Sequence, residues 1–584
     1  MPLLPDHPRH ARLVAGWFTL ALALVAAHPL ASLAQQQPVN SDRVYTRSVV
    51  AADHPLASEA GRQMLLEGGN VVDAAVATSL ALSVVRPGSS GIGGGGFLMY
   101  WDATEQTCHV YDYRESAPAR ATAAMYAGMK ADGSESPSLR GALAVAVPGE
   151  VAGLCRVHAR HGRLPLSQVV APALRLAREG VPVDAHDVEV QAELLEDFQR
   201  FPDYTQTYAT LWKLYANSGR RWQVGDRFQS PLAAVLERVS RDGAAGFHEG
   251  EVAEAIAREV ARGGGLVTVN DLRTQQPVSR RPLVLHRKGR IIHTMPPPSS
   301  GGIALLESLQ ILDTLDSRLG PLPPGPSAAF YHRLAETFQH AFADRARFLG
   351  DADFVAVPIA TLVSAPHAVE RAGRIEPERT FPTESYGSQT LPDDHGTSHF
   401  SILDARGNAV ACTETINTLF GSFVVEPTFG IVLNNQMDDF TARPGEPNAF
   451  GLIQSPANAV APGKKPLSSM TPTIVTHEGQ AEFVVGASGG PRIITATAQV
   501  LWRMSEWGES PGEAVVAPRV HHQWLPRRLS VESGFDRGSQ ATLEAWGHPV
   551  QARDEGAVVQ AASRTAAGLR AASDPRKHGR PAGD

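Results

Sequence analysis

The stretch Gly396-Thr397-Ser398-His399-Phe400-Ser401 constrains this chain most, because breaker-rich sequence gives way there to strand-forming sequence within two residues. Residues 376–396 hold Pro377, Pro382, Gly387, Pro392 and Gly396 among polar residues, with neither helical nor strand periodicity. That composition reads as a long exposed loop, and loops of this length in compact domains tend to have a function. Residues 397–403 and 409–415 then flank the Gly-containing turn Asp404-Ala405-Arg406-Gly407-Asn408, which predicts a β-hairpin. With Leu403 opposite Ala409, the register carries Thr397 opposite Thr415. Directly opposed side chains lie about 4.5–5.5 Å apart at Cβ, close enough for one hydroxyl to reach the other. Threonine is also an ordinary strand former, so the pattern by itself leaves a structural reading open.

The chemistry gives the threonine a second reading. A hydroxyl is a weak nucleophile and needs a base. A residue that becomes an N-terminus carries one, since an α-amino group with a pKa of about 7.7–8 is partly neutral near pH 7. Threonine activated by its own terminal amine is an established arrangement. Before cleavage the same hydroxyl can attack the Gly396 carbonyl, giving an ester that water opens, so one side chain would serve maturation and turnover.

Further motifs accompany the hairpin. They are Asn70-Val71-Val72-Asp73-Ala74-Ala75-Val76, Ser90-Gly91-Ile92-Gly93-Gly94-Gly95-Gly96-Phe97, Arg114-Glu115-Ser116-Ala117-Pro118, Pro296-Pro297-Pro298-Ser299-Ser300-Gly301-Gly302 and Ala343-Asp344-Arg345 before it. After it come Leu433-Asn434-Asn435-Gln436-Met437-Asp438-Asp439-Phe440, Pro466-Leu467-Ser468-Ser469-Met470-Thr471-Pro472-Thr473 and Gly489-Gly490-Pro491-Arg492-Ile493. In this order, from about residue 41 to the C-terminus, the chain resembles the gamma-glutamyltransferases (gamma-glutamyl transpeptidases, or glutathione hydrolases), which are N-terminal-nucleophile hydrolases. The resemblance implies an α+β fold, a four-layer αββα sandwich self-cleaved into two interleaved subunits. It implies a large subunit over 35–396 and a small one over 397–584, cut between Gly396 and Thr397, with no metal or organic cofactor. Thr397 would be the nucleophile and Thr415 its partner, while Gly489 and Gly490 would supply the oxyanion hole. The donor would be a γ-glutamyl compound such as glutathione, and the acceptor water, an amino acid or a dipeptide.

Charge accounts for the substrate-binding set. A γ-glutamyl group ends in an α-carboxylate and an α-ammonium. Arg114 suits the carboxylate because its planar fork binds bidentately. The resemblance adds Ser468 and Ser469 as donors to the carboxylate, Asp439 as acceptor from the ammonium, and Asn417 and Gln436 as neutral partners beside it. Each has a plain alternative: Arg114 in a salt bridge with Glu115 or Asp112, Asp439 as a helix cap, the serines as a turn, Asn417 and Gln436 as loop residues. The sequence departs from the common pattern at Phe450, where a tyrosine is usual in a lid loop, and at Glu414, where an aromatic is expected. Both departures bear on acceptor preference.

Two other motifs compete. Gly91-Ile92-Gly93-Gly94-Gly95-Gly96 fits G-x-G-x-x-G, but it follows a helical segment and leads into a strand, the reverse of a dinucleotide site. Gly486-Ala487-Ser488-Gly489-Gly490 fits G-x-S-x-G between a predicted strand and helix, with Asp536 and His548 downstream in the order a serine hydrolase needs. That is the runner-up mechanism. A glutaryl β-lactam acylase of the same fold and an unprocessed, inactive relative are further alternatives.

The remaining signals are compositional. The 584 residues carry a net charge of −7, which points to no nucleic-acid partner. Arg9, His10 and Arg12 precede an apolar run over 13–27, and Ser32-Leu33-Ala34 offers small residues for cleavage. Residues 1–34 therefore read as a secretory signal. The run falls short of the roughly 20 residues that span a bilayer, so an exported protein, periplasmic or secreted and without a stable membrane anchor, is expected. Cys108, Cys155 and Cys412 have no metal-ligand spacing and read as buried small hydrophobes. Periodicity predicts helices over 70–85, 150–161, 165–179, 232–239, 251–262, 303–312, 328–346 and 492–506. Strands are predicted over 97–101, 110–113, 283–286, 291–295, 474–476 and 482–485, besides the hairpin.

Overall fold

A computed structural model describes residues 43–127, 136–386, 396–441, 456–553 and 556–584. The predicted leader and the lid position Phe450 lie outside the described residues. In chain order the strands that build the core are β1 (Ser48–Ala52), β2 (Gly95–Asp102), β3 (Thr107–Asp112), β4 (Val278–Arg280), β5 (Leu283–Arg287), β6 (Arg290–Thr294), β7 (Ser398–Asp404), β8 (Ala409–Thr415), β9 (Thr473–His477), β10 (Gln480–Ser488), β11 (Val558–Thr565), β12 (Gly568–Ser573) and β13 (Ala582–Gly583). Among the described residues they form a seven-stranded sheet, β13-β1-β7-β8-β2-β3-β4, and a six-stranded sheet, β12-β11-β10-β9-β6-β5, with antiparallel neighbours. The two sheets pack face to face through β7, β8, β10 and β11. Helices α1 (Pro55–Leu66) and α2 (Val71–Val85) cover the outer face of the first sheet. On the second sheet lies α5 (Arg492–Glu506), backed by α3 (Gly301–Leu319) and α4 (Ala328–Phe348). The result is the four-layer αββα sandwich.

Strand alternation explains why the central hairpin is buried on both faces. Phe400, Ile402, Val410 and Cys412 point to the α1/α2 layer, with Val50, Leu98 and Tyr100. Leu403, Ala409 and Ala411 point between the sheets, with Val49, Ala51, Phe97 and Met99. The predicted register holds, with Leu403 opposite Ala409 and Ser398 opposite Glu414. Helix α2 is buried at every residue, as its all-round apolar sequence requires. Asn70 caps it in a reciprocal capping box with Asp73.

The Gly91–Gly96 motif has a packing role. A Cβ on Gly93 would lie 2.0 Å from the Val432 carbonyl oxygen, and one on Gly94 would lie 2.1 Å from that of Thr415. These glycines let β2 and the turn before it close against the backbone beside Thr415. Cys412 is buried, but Cys108 and Cys155 are only half-buried, which corrects the expectation for those two.

Candidate active site

Thr397 stands one residue before β7, and strand parity aims it between the sheets. Its hydroxyl donates to the Gly396 carbonyl oxygen. The Thr415 hydroxyl donates to the same oxygen at 3.0 Å and lies 3.2 Å from Thr397 Oγ1. Asn417 N–H in turn donates to Thr415 Oγ1 at 2.8 Å, fixing which way that hydroxyl points. The peptide bond at 396–397 thus has the Thr397 hydroxyl against it and a second hydroxyl on its carbonyl. Gly396 packs tightly here, since a Cβ would fall 2.4 Å from the Asn417 carbonyl oxygen.

A small cavity beside this bond is lined by Thr397, Thr415, Arg114, Asn417, Gln436, Asp439, Ser468, Ser469 and Gly490. Its volume of about 20 Å³ is room for about one water. Arg114 is buried, with Nη2 on Asp439 Oδ2 and Nε donating to the Pro466 carbonyl at 2.7 Å. Its ionic partner is therefore Asp439, with Glu115 Oε2 farther away at 3.9 Å. Gln436 Nε2 donates to Asp439 Oδ2 at 2.8 Å, and both residues sit in a single helical turn, Gln436–Asp439. Burial raises the Asp439 pKa, while Arg114 and Gln436 act against that rise. Asn417 is held at a φ of +83° with its amide on the Asn435 carbonyl, a left-handed position asparagine tolerates well. Gly489 and Gly490, at φ +121° and +54°, make the turn from β10 into α5 that closes one side.

Two expectations change. Glu414 has the parity of Cys412, so it points away from the cavity into the α2 layer and accepts hydrogen bonds from Ser79 Oγ (2.7 Å) and Tyr113 OH (3.1 Å). It bears on the packing behind the hairpin and does not line the cavity beside Thr397. The Ser488 constellation is not assembled either. His548 Nε2 shares a 2.7 Å hydrogen bond with His332 Nδ1, its Nδ1 has no partner among the described residues, and Asp536 caps the helix Arg537–Ala545.

The structure adds residues whose roles the sequence did not reveal. Arg345, from the Ala343-Asp344-Arg345 motif, reaches the cavity wall fully buried, with Nη1 unpartnered among the described residues and its pKa lowered to about 10 by burial. Lys577 donates to the Thr397 carbonyl at 2.6 Å and to Asp53 Oδ2 at 2.9 Å. Nothing local in Asp574-Pro575-Arg576-Lys577 signals that contact, which joins positions 180 residues apart.

The family model for gamma-glutamyltranspeptidase matches residues 57–584. The chain belongs to the gamma-glutamyltranspeptidase family. It is 39% identical over 536 residues to the glutathione hydrolase proenzyme of Escherichia coli (strain K12), covering 91% of this chain and 90% of that one. It is 38% identical over 538 residues to the glutathione hydrolase proenzyme of Pseudomonas aeruginosa, covering 91% and 93%. Among solved structures, it resembles a cephalosporin acylase from Bacillus halodurans (TM-score 0.80, 27% identity, 94% of this chain and 98% of that one). It also resembles the gamma-glutamyltranspeptidase of Helicobacter pylori (TM-score 0.53, 35% identity, 60% and 97%). The αββα sandwich of this family member is thus the N-terminal-nucleophile hydrolase fold.

Proposed function

We propose that this chain is a self-processing gamma-glutamyltransferase and glutathione hydrolase that uses Thr397 twice. In maturation the Thr397 hydroxyl adds to the Gly396 carbonyl carbon and the C–N bond breaks. The acyl group then rests on Thr397 Oγ, and water hydrolyses the ester to leave a Gly396 carboxylate and a free Thr397 amine. Residues 35–396 and 397–584 become the two subunits, with residues 1–34 removed on export to the periplasm or medium. Departure of Gly396 from Asn417 enlarges the cavity. In turnover the new amine takes the hydroxyl proton while Oγ attacks the γ-glutamyl amide; the amide C–N bond then breaks, the leaving amine departs with that proton, and the γ-glutamyl group stays as an ester on Oγ. Thr415 orients the nucleophile, the Gly489 and Gly490 N–H groups meet the developing oxyanion, and water, an amino acid or a dipeptide accepts the acyl group.

The observation that carries this reading is the single cavity in which the Thr397–Thr415 pair meets a buried Arg114–Asp439 ion pair. Such a pair is neutral overall. It matches a zwitterionic α-carbon, whose carboxylate turns to Arg114, Ser468 and Ser469 and whose ammonium turns to Asp439, Gln436 and Asn417. A glutaryl group lacks the ammonium and would leave Asp439 uncompensated, which favours γ-glutamyl over glutaryl β-lactam substrates despite the acylase likeness. N-terminal sequencing of the purified protein tests the scheme. A small chain beginning Thr-Ser-His-Phe is expected, and a folded, active protein remaining as one chain would refute it.

A further inference from the structure

The Pro-Pro-Pro-Ser-Ser-Gly-Gly motif at 296–302 lies outside the catalytic set, yet its hydroxyls end on the backbone carbonyls of Ser468 and Met470. Ser300 N–H and Ser300 Oγ both donate to the Ser468 carbonyl, at 2.8 and 2.6 Å. Ser299 Oγ donates to the Met470 carbonyl at 2.6 Å, and Ser468 N–H returns a bond to the Pro298 carbonyl at 2.9 Å. The approach is close enough that a Cβ on Gly301 would fall 2.1 Å from Thr471 Oγ1. Both serines are fully buried.

The polarity of the Ser300 hydroxyl is forced. Arg345 Nε donates to it at 2.9 Å, and a guanidinium can only donate, so the one hydroxyl proton must go to the Ser468 carbonyl. Ser300 therefore converts a donor into an acceptor between two walls of the cavity. It fixes the Ser468 backbone and anchors Arg345, whose Nη1 is buried without a partner among the described residues.

We propose that Ser300, seconded by Ser299, is a positioning residue for the carboxylate end of the donor site, holding Ser468 and Ser469 across the line of the self-cleavage. The proposal rests on the γ-glutamyl reading above. It predicts a penalty specific to donors that carry the α-carboxylate.

The test compares Ser300→Ala with wild type on three 4-nitroanilides: γ-glutamyl, glutaryl (carboxylate without ammonium) and 4-aminobutyryl (ammonium without carboxylate). Self-cleavage is followed on a gel beside the kinetics. We expect kcat/KM to fall about tenfold on the first two, through KM, the size of one hydrogen bond's net contribution. The 4-aminobutyryl anilide should be unchanged, and Ser300→Thr, which keeps the hydroxyl, should recover the loss. If Ser300→Ala does not mature, Ser299→Ala carries the same comparison. An equal loss on all three substrates, or none, overturns the assignment. Wild-type enzyme that turns over the 4-aminobutyryl and γ-glutamyl anilides equally well would instead overturn the carboxylate reading beneath it.

Discussion

Replacing Lys577 with methionine removes a cation that the fold holds against the Thr397 carbonyl. Its ammonium is shared between Asp53 Oδ2 and the Thr397 carbonyl, and burial lowers its pKa while Asp53 raises it. Asp53 is fully buried, its other oxygen accepting from Gln560 Nε2 at 2.6 Å. Two effects should separate. Stranding Asp53 should cost about 3–5 kcal/mol of stability, the usual result of breaking one side of a buried ion pair. Losing a charged donor on the Thr397 carbonyl should cost about 1.5–3 kcal/mol in alignment of the scissile bond, or roughly ten- to hundredfold in the rate of self-cleavage. Chemical denaturation in a Thr397→Ala background, which should stay one chain, measures the first. A gel time course of freshly folded precursor measures the second. Adding Asp53→Asn neutralises the stranded charge and keeps an acceptor for Gln560. The double variant should regain most of the stability and remain slow to cleave. Wild-type cleavage by Lys577→Met, or a double variant that regains stability and cleavage together, would refute the idea that Lys577 acts on Thr397.

Thr397→Ala should fold, remain a single chain and show no turnover of a γ-glutamyl anilide, and a processed Thr397→Ala protein would remove this residue from the scheme. Arg114→Ala should lower kcat/KM on the same substrate by about 2–5 kcal/mol in transition-state terms, because it leaves the substrate carboxylate without its buried charge partner; unchanged kinetics would take Arg114 out of the site. Glu414 gives a pH prediction: burial raises its pKa from the ordinary glutamate value near 4.5 to about 7. The folded state therefore holds a proton the unfolded chain has lost, so this contribution is full below about 4.5 and declines as pH rises through about 7. Stability of Glu414→Gln, followed by denaturant midpoint, should decline less across that window than wild type, and parallel profiles would contradict the assignment.

The helices over 150–161 and 492–506 match their observed bounds because each has a strong local signature and a breaker beside it, Gly162 and Pro491. Helices Pro55–Leu66 and Ala185–Arg200 and strands β11 and β12 escaped the periodicity reading. β11 and β12 are rich in alanine and serine, and their strand character comes from the ladder beside β10. The Thr397–Thr415 pairing was legible because a hairpin's register follows from its turn: once Leu403 faces Ala409, Thr397 must face Thr415. The direction of Glu414 follows from the same parity, but without the layers on either side there was no telling which face was the cavity. Arg114 came from the charge of the donor and Asp439, Ser468 and Ser469 from resemblance, and Arg114 meets Asp439 across 325 residues of chain. By itself the sequence determined the hairpin, the register at its centre and the glycine positions, because short-range sterics and strand alternation decide those. Only the tertiary structure paired Arg114 with Asp439, set Lys577 against the Thr397 carbonyl and sent His548 to His332 in place of Ser488, because a buried charge or hydroxyl finds its partner only where packed layers bring distant segments into contact.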